Sequence, residues 1–231
     1  MKNKNIKIII PAYNEQNAIG KVIKDIPKGL ASEIIVVNNA STDKTEIVAR
    51  EAGATVLVEK IPGYGRACLK GLEYLSQLKG ETVDIVVFID ADYSDYPEEI
   101  PLLLKPILEE GKELVIGSRA LGNRERGAMT LPQIFGNWLA TSLLKLFYKV
   151  EFTDLGPFRA IKYKSLLQLH MQDKTFGWTV EMQLKAAKNH LEYAEVPVTY
   201  RKRIGISKIS GTVKGTIMAG YKIIWTIFKY L

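Results

Sequence analysis

One cysteine, Cys68, and two histidines, His170 and His190, are all that the 231 residues hold of thiol and imidazole metal ligands. A single cysteine excludes an intramolecular disulfide framework, and no Cys/His grouping has the spacing of a zinc site. The chain reads as a protein of a reducing compartment, with Cys68 serving packing and the two histidines outside every motif. Long apolar runs are also missing. The least polar stretch, residues 129–144, is broken by Pro132, Gln133, Gly136 and Asn137, so no segment offers the roughly 18 continuous apolar residues of a membrane span. The basic start leads into a short apolar strand interrupted by Lys7, which is no signal peptide. Secretion and membrane crossing are therefore not expected. Gly63 and Gly65 follow Pro62 without the third glycine of a dinucleotide fingerprint, so a tight turn is the reading there. No aromatic-rich basic repeat or recognition-helix motif points to nucleic acid.

What is present is enough for a sizeable core: 47% of residues are hydrophobic, in a length that fits one large α/β domain. The excess of 32 Lys+Arg over 25 Asp+Glu gives +7, which favours an anionic partner: nucleic acid, an acidic lipid surface or a phosphorylated substrate. Basic residues gather from Arg119 onward, at Arg124, Arg126, Arg159, Arg201, Lys202, Arg203, Lys208, Lys214 and Lys222.

Short β-rich runs at 6–11, 33–37, 55–58, 85–89 and 114–116 alternate with amphipathic stretches at 16–26, 44–52, 65–78 and 97–110. That alternation predicts βαβ units and a parallel sheet. Ser41 or Thr42 is placed to cap the second helix, and Pro97 to start the fourth. Beyond Gly117 the spacing predicts longer helices at 132–150 and 179–188, with strands at 157–161 and 191–198. At the end, Val213, Ile217, Tyr221, Ile224, Phe228 and Leu231 recur every three or four residues, which is one helical stripe. Two readings of that stripe stand: a core-facing helix, or a helix lying on a membrane surface with Lys214, Lys222 and Lys229 among anionic headgroups. Trp138, Leu139, Leu143, Phe147 and Val150, with Lys145 and Lys149, make a second such segment.

Asp90 and Asp92 follow the apolar run 84–89, where a buried parallel strand ends and a ligand crevice opens. Residues i and i+2 of an extended segment face the same way, so two carboxylates can meet one divalent cation or one ligand edge. A solvated turn is the alternative reading of the same spacing.

Five motifs then stand in one order: Pro11-Ala12-Tyr13-Asn14-Glu15, Asn38-Asn39-Ala40-Ser41-Thr42-Asp43, Gly63-Tyr64-Gly65-Arg66-Ala67, Asp90-Ala91-Asp92 and Gly117-Ser118-Arg119. In that order they resemble the family 2 glycosyltransferases of the GT-A fold. Asp154-Leu155-Gly156-Pro157-Phe158-Arg159, Gly177-Trp178-Thr179-Val180-Glu181-Met182 and Arg203-Ile204-Gly205-Ile206-Ser207-Lys208 extend the resemblance to about residue 211. They resemble the branch that makes polyprenyl-phosphate sugars, such as dolichyl-phosphate glucose and mannose synthases. The resemblance implies an α/β fold with a Rossmann-like, mostly parallel sheet flanked by helices. It divides one domain into a nucleotide-sugar half (1–118), an acceptor-binding half with a mobile loop (119–211) and an amphipathic helix (212–231).

The resemblance also implies roles. The base lies near Pro11, Tyr13 and Glu15 and the end of the second strand, where Asn38 and Asn39 replace the usual aspartate pair. An asparagine carbonyl can accept from uracil N3–H while its amide donates, whereas guanine's two adjacent donors suit a carboxylate, so the replacement favours UDP over GDP. Asp90 is implied at the ribose or the metal's water shell, and Asp92 at a Mg²⁺ or Mn²⁺ that neutralises the leaving diphosphate. Some mannose synthases add a glutamine two residues later; Ser94 stands there here, with Asp95 as the nearby substitute. Arg119, Arg203 and Lys208 supply further positive charge, and the segment 203–208 is implied as a loop that closes over the diphosphate, Ser207 donating. Arg126 and Arg159 are the candidates for an acceptor phosphate. Asp154 orders that site, positions the sugar or caps a loop; Glu181 binds sugar or compensates a helix dipole; Trp178 stacks on the sugar or packs. Asp92, Asp154, Arg119 and Arg203 form the expected catalytic set.

A polyprenyl phosphate is already an anionic nucleophile, so transfer needs positioning and charge stabilisation more than a base. The leading expectation is an inverting hexosyltransferase moving glucose from UDP to a polyprenyl phosphate, peripheral on the cytoplasmic face of a membrane. The rivals are a saccharide or other acceptor, GDP-mannose as donor, and a non-catalytic peripheral nucleotide-binding protein.

Overall fold

In the computed structural model, which describes residues 4–78, 80, 82–205 and 213–231, the apolar runs become β1 (Ile6–Ala12), β2 (Glu33–Asn39), β3 (Thr55–Glu59), β4 (Ile85–Phe88), β5 (Leu114–Ser118), β6 (Arg159–Lys162) and β7 (Tyr193–Pro197). They form one sheet in the order β3-β2-β1-β4-β6-β5-β7. β6 runs antiparallel between β4 and β5, and the other pairings are parallel. β1 is buried at every position, as expected of a strand covered on both faces. Its one charge, Lys7, is tied to Glu33 at 3.1 Å.

Eight α-helices stand among the described elements: α1 (Ile19–Asp25), α2 (Thr45–Glu51), α3 (Tyr64–Gln77), α4 (Ile100–Glu109), α5 (Leu131–Tyr148), α6 (Tyr163–Gln168), α7 (Trp178–Lys188) and α8 (Val213–Lys229). Pro97 opens a short 3₁₀ turn, Pro97–Glu99, that leads into α4. Strand alternation decides which layer each helix joins. Ile8 and Ile10 of β1 pack with α1, α2 and α4, while Ile9 turns to the layer of α3, α5, α6, α7 and α8. α5 begins in a capping box, Thr130 and Gln133 each serving the other's backbone.

Two expectations change. Neither Ser41 nor Thr42 caps α2; Asp43 accepts from the amides of Thr45 (2.9 Å) and Gln16 (3.2 Å), and Ser41 instead accepts from Asn14 N–H at 2.9 Å. The turn after β2 is thus sewn to the turn after β1. The apolar stripe of α8 does not face the core. Ile217, Tyr221, Phe228 and Leu231 are exposed, and the helix packs inward through Thr226 and Ile227.

From β1 the chain crosses to β2 on one side, while β4 lies on the other side of β1. The carboxyl ends of β1 and β4 therefore flank a topological switch point, where open α/β sheets bind ligands.

Candidate active site

A cleft of about 310 Å³ opens at that point. Pro11, Tyr13 and Glu15 line it from the end of β1, Asn39 from β2, Asp90 and Asp92 from the end of β4, and Arg203 from the far segment of the chain. The half-exposed ring of Tyr13 offers a flat apolar surface at the mouth.

Charge inside the cleft is arranged as an acidic pair under one cation. Asp92 is held by Ser94, whose backbone N–H (2.9 Å) and hydroxyl (2.5 Å) both donate to Oδ1. Ser94 thus orients Asp92. The other oxygen, Oδ2, faces Arg203 Nη1 at 3.1 Å, and Arg203 Nη2 reaches Glu15 Oε1 at 2.7 Å. The following amide, Ile204 N–H, donates to the Asp92 carbonyl at 2.9 Å. Asp90 receives the Tyr64 hydroxyl at 3.1 Å. Burial, reinforced by the neighbouring Asp92 charge, pushes the Asp90 carboxyl up to about 7.

The turn that carries this pair is strained and clamped. Tyr93 sits in the left-handed region (φ 66°), and Arg201 lies over its ring, 3.4 Å from the centroid, and over Tyr96 at 4.0 Å. Such backbone strain persists only where its surroundings over-determine it. Asp95, beyond the turn, is buried with neither carboxylate oxygen partnered, and burial followed by the Asp90 charge drives its carboxyl well above the usual range.

Just past the end of β5, Arg119 and Asp154 form a buried pair. Asp154 Oδ2 accepts from the Arg119 backbone N–H (2.7 Å) and Nε (2.8 Å), and Oδ1 from Nη2 (2.6 Å). Burial acts to raise the Asp154 carboxyl, but the Arg119 charge and hydrogen bonds outweigh it and hold the group below the usual carboxylate range. Arg119 also lies 5.0 Å from the Tyr200 ring centroid. Its charge is balanced internally, so among the described residues Arg203 is the cation that stands in the cleft itself.

Several expected contacts lie elsewhere. Asn38 donates to Glu46 and accepts from Ser41 N–H. Asn39 donates to the carbonyls of Glu59 and Ile61 and accepts from Gly63 N–H. Both therefore brace the loops beside the cleft with the groups assigned to the base. Arg159 cannot meet an acceptor phosphate: it is fully buried, and its guanidinium donates to the carbonyls of Leu155, Gly156 and Thr179. Trp178 packs edge-on against Phe88 at 6.0 Å with no exposed face to stack on a sugar. Glu181 is also sealed in, accepting from the amides of Gln172 and Asp173 and from the Tyr230 hydroxyl. Arg126 is exposed to solvent, outside the cleft lining. Ser207 and Lys208 lie outside the described residues.

Sequence reasoning missed the opposite wall, made by Tyr64, Thr175 and Phe176. The signal was the glycine pair. A Cβ on Gly65 would stand 2.0 Å from the Asp173 carbonyl, and one on Gly63 2.3 Å from that of Lys174. Only glycine lets the 173–175 loop lie so close, with Gly65 N–H bonded to the Thr175 carbonyl at 3.1 Å.

Comparison with known proteins agrees with this geometry. The description "Glycosyl transferase family 2" matches residues 7–169, and the chain belongs to that family. It is 32% identical over 217 residues to an uncharacterised glycosyltransferase of Mycobacterium tuberculosis, covering 93% of this chain and 94% of that one. It is 28% identical over 251 residues to the UDP-N-acetylglucosamine–dolichyl-phosphate N-acetylglucosaminyltransferase of Methanococcus voltae, covering 98% and 96%. Among solved structures it resembles glucosyl-3-phosphoglycerate synthase from M. tuberculosis in complex with Mn²⁺, UDP and glucosyl-3-phosphoglycerate. The TM-score is 0.77 and the identity 25%, over 98% of this chain and 80% of that one. The expected GT-A fold is therefore the observed one, and the protein is a glycosyltransferase.

Proposed function

We propose that the protein is a metal-dependent, inverting glycosyltransferase that moves a hexose, glucose first among the candidates, from UDP to a polyprenyl phosphate at the cytoplasmic face of a membrane. The observation that carries this reading is the Asp92–Arg203–Glu15 constellation at the switch point. It offers carboxylate oxygens for a cation and a guanidinium for a diphosphate, in one cleft.

The residues fit a divalent ion. Asp90 and Asp92 are hard oxygen donors that suit Mg²⁺ or Mn²⁺, and Asp92 Oδ2 already attracts a cationic group. Among the described residues no cluster of three or more His, Cys, Asp or Glu could hold a metal, so the remaining ligands would come from the diphosphate and water. When bound, the ion would act as a Lewis acid on the leaving diphosphate. Arg203 would turn its fork to the phosphate oxygens, Tyr13 would take the base, and Ser94 would keep Asp92 in place. Such an acceptor arrives ionised, so none of these residues needs to remove a proton. UDP is favoured because the glucosyl-3-phosphoglycerate synthase binds UDP with Mn²⁺, and a lipid phosphate because the M. voltae relative is named for dolichyl phosphate.

A second reading, a small phosphorylated acceptor, is favoured by the phosphoglycerate synthase itself. Both are tested by offering labelled UDP-glucose, and in parallel GDP-mannose, with Mn²⁺ or Mg²⁺, polyprenyl phosphate and 3-phosphoglycerate. Metal-dependent label in the solvent-extracted lipid, lost in Asp92→Ala, supports the lipid acceptor. Label retained in the aqueous product moves the assignment to the small acceptor. Label only from GDP-mannose would refute the UDP assignment.

A further inference from the structure

We propose that α5 and α8 together form the face by which this protein seats on an anionic lipid bilayer. On α5 the outward stripe carries Leu131 (81% exposed), Phe135 and Trp138; on α8 it carries Tyr221 (68%), Trp225 and Phe228. The two helices lie against each other, Phe147 of α5 meeting Phe228 of α8 edge-on with ring centroids 5.6 Å apart. Large aromatic and aliphatic side chains left exposed on two neighbouring helices mark an interaction surface in a protein otherwise well packed.

The inner side of α8 fixes this orientation. Tyr148 donates to the Ile227 carbonyl at 2.8 Å, Tyr230 to Glu181 at 2.7 Å, and Lys222 pairs with Asp173 at 2.9 Å. The helix is thus latched to the loop that walls the cleft, and its aromatic stripe is left outside.

Charge chooses the occupant. Neither helix contains an acidic residue, and Lys145, Lys149 and Lys229 lie along or beside the stripes. Lys145 meets Glu151 at the end of α5, at 2.7 Å. A second copy of the chain would bring this same lysine-bearing face against itself across a two-fold axis, setting like charges together. An anionic bilayer instead supplies acyl chains for the aliphatic groups, an interface for Trp and Tyr, and headgroups within reach of lysine. No helix among the described residues is long and apolar enough to cross a membrane, so the contact is one of lying on the surface.

The face also adjoins the cleft along the chain. α5 follows the segment of Arg124, which bridges to Tyr200, and α8 follows the segment that begins at Arg203. This deepens the lipid-phosphate reading and rests on it for purpose only, since docking can be measured on vesicles that contain no polyprenyl phosphate.

The experiment uses the full chain with vesicles of phosphatidylcholine alone and of phosphatidylcholine with about one third phosphatidylglycerol. The expected result is co-sedimentation about tenfold stronger with the anionic vesicles, weakening as salt screens the lysines. Trp138 and Trp225 should shift to the blue and be quenched by brominated acyl chains, while buried Trp178 should not; this readout needs no variant. Trp138→Ser with Trp225→Ser should lose about tenfold in binding with an unchanged circular dichroism spectrum, and Lys149→Glu with Lys229→Glu should lose the anionic preference. Absence of vesicle binding by the unaltered protein would overturn the proposal. So would a concentration-dependent dimer that the tryptophan pair abolishes, which would assign the face to a second copy. Docking without sugar transfer to polyprenyl phosphate would refute the acceptor assignment and leave the docking face standing; transfer without docking would do the reverse.

Discussion

Replacing Arg203 by glutamine should change two affinities in opposite directions. Arg203 neutralises Asp92 (3.1 Å) and Glu15 (2.7 Å), so it occupies the charge that a divalent ion would satisfy. The side chain is 28% exposed, which places the Asp92 contact in the screened regime of about 0.5–1 kcal/mol. Removing it should therefore raise the Mn²⁺ affinity of the nucleotide-free protein about two- to fivefold. With UDP present the sign reverses. A guanidinium hydrogen bond to a diphosphate oxygen contributes about 1.5–3 kcal/mol, so Arg203→Gln should weaken UDP binding about 10- to 150-fold at saturating Mn²⁺. Free Mn²⁺ can be followed by its electron paramagnetic resonance signal, and UDP by isothermal calorimetry. Weaker or unchanged metal binding without nucleotide would refute the idea that Arg203 stands in for the ion. UDP affinity within about twofold of the unaltered protein would refute its turning to the diphosphate.

Asp154→Asn should destabilise the protein by about 3–5 kcal/mol, because it leaves the Arg119 charge buried without its carboxylate; at this chain length that is a fall of about 6–20 °C in Tm. Asp154 is depressed in the fold, so its stabilisation is present above the unfolded carboxyl value near 3.9 and is lost as pH falls through the folded one. The gap between the two proteins should thus close below about pH 4, and a gap unchanged at about pH 3 would contradict the pairing. Gly65→Ala should cost about 1–3 kcal/mol and weaken UDP binding, since the new Cβ drives the 173–175 backbone from the cleft wall. Gly136→Ala, in α5 with open space around it, should be neutral or gain up to about 1 kcal/mol in the same thermal melts.

The first half of the fold was legible because a strand buried on both faces must be a short apolar run, as β1, β4 and β5 are, and the edge strand β3 kept the same β-rich signature while half exposed. The direction of β6 was not legible. Its neighbours, β4 and β5, come from distant parts of the chain, and pairing sense is a tertiary property. The six residues of α6 are too few to show a helical period. For α8 the period was read correctly and its meaning was left open, since periodicity defines a face without saying what the face meets. The bonds of Tyr148 and Tyr230 to that helix and its surroundings decide it, and they come from contacts no local pattern encodes.

The candidate site divides in the same way. Asp90, Asp92 and Glu15 were legible because each follows a buried strand, where side chains must leave the core and enter the crevice. Asn38 and Asn39 follow the same rule, yet their amides are spent on Glu46 of α2 and on the carbonyls of Glu59 and Ile61. A strand-end position therefore predicts proximity to a ligand, and the competing backbone groups decide whether the side chain remains available. Arg159 makes the point most sharply. At the first position of β6, a basic residue facing a cleft and one turned into the core read alike, because only the fold reveals that three backbone carbonyls converge on it. Buried carbonyls demand donors as strictly as phosphates do. Reading an arginine as an anion site therefore requires knowing what else nearby accepts a hydrogen bond.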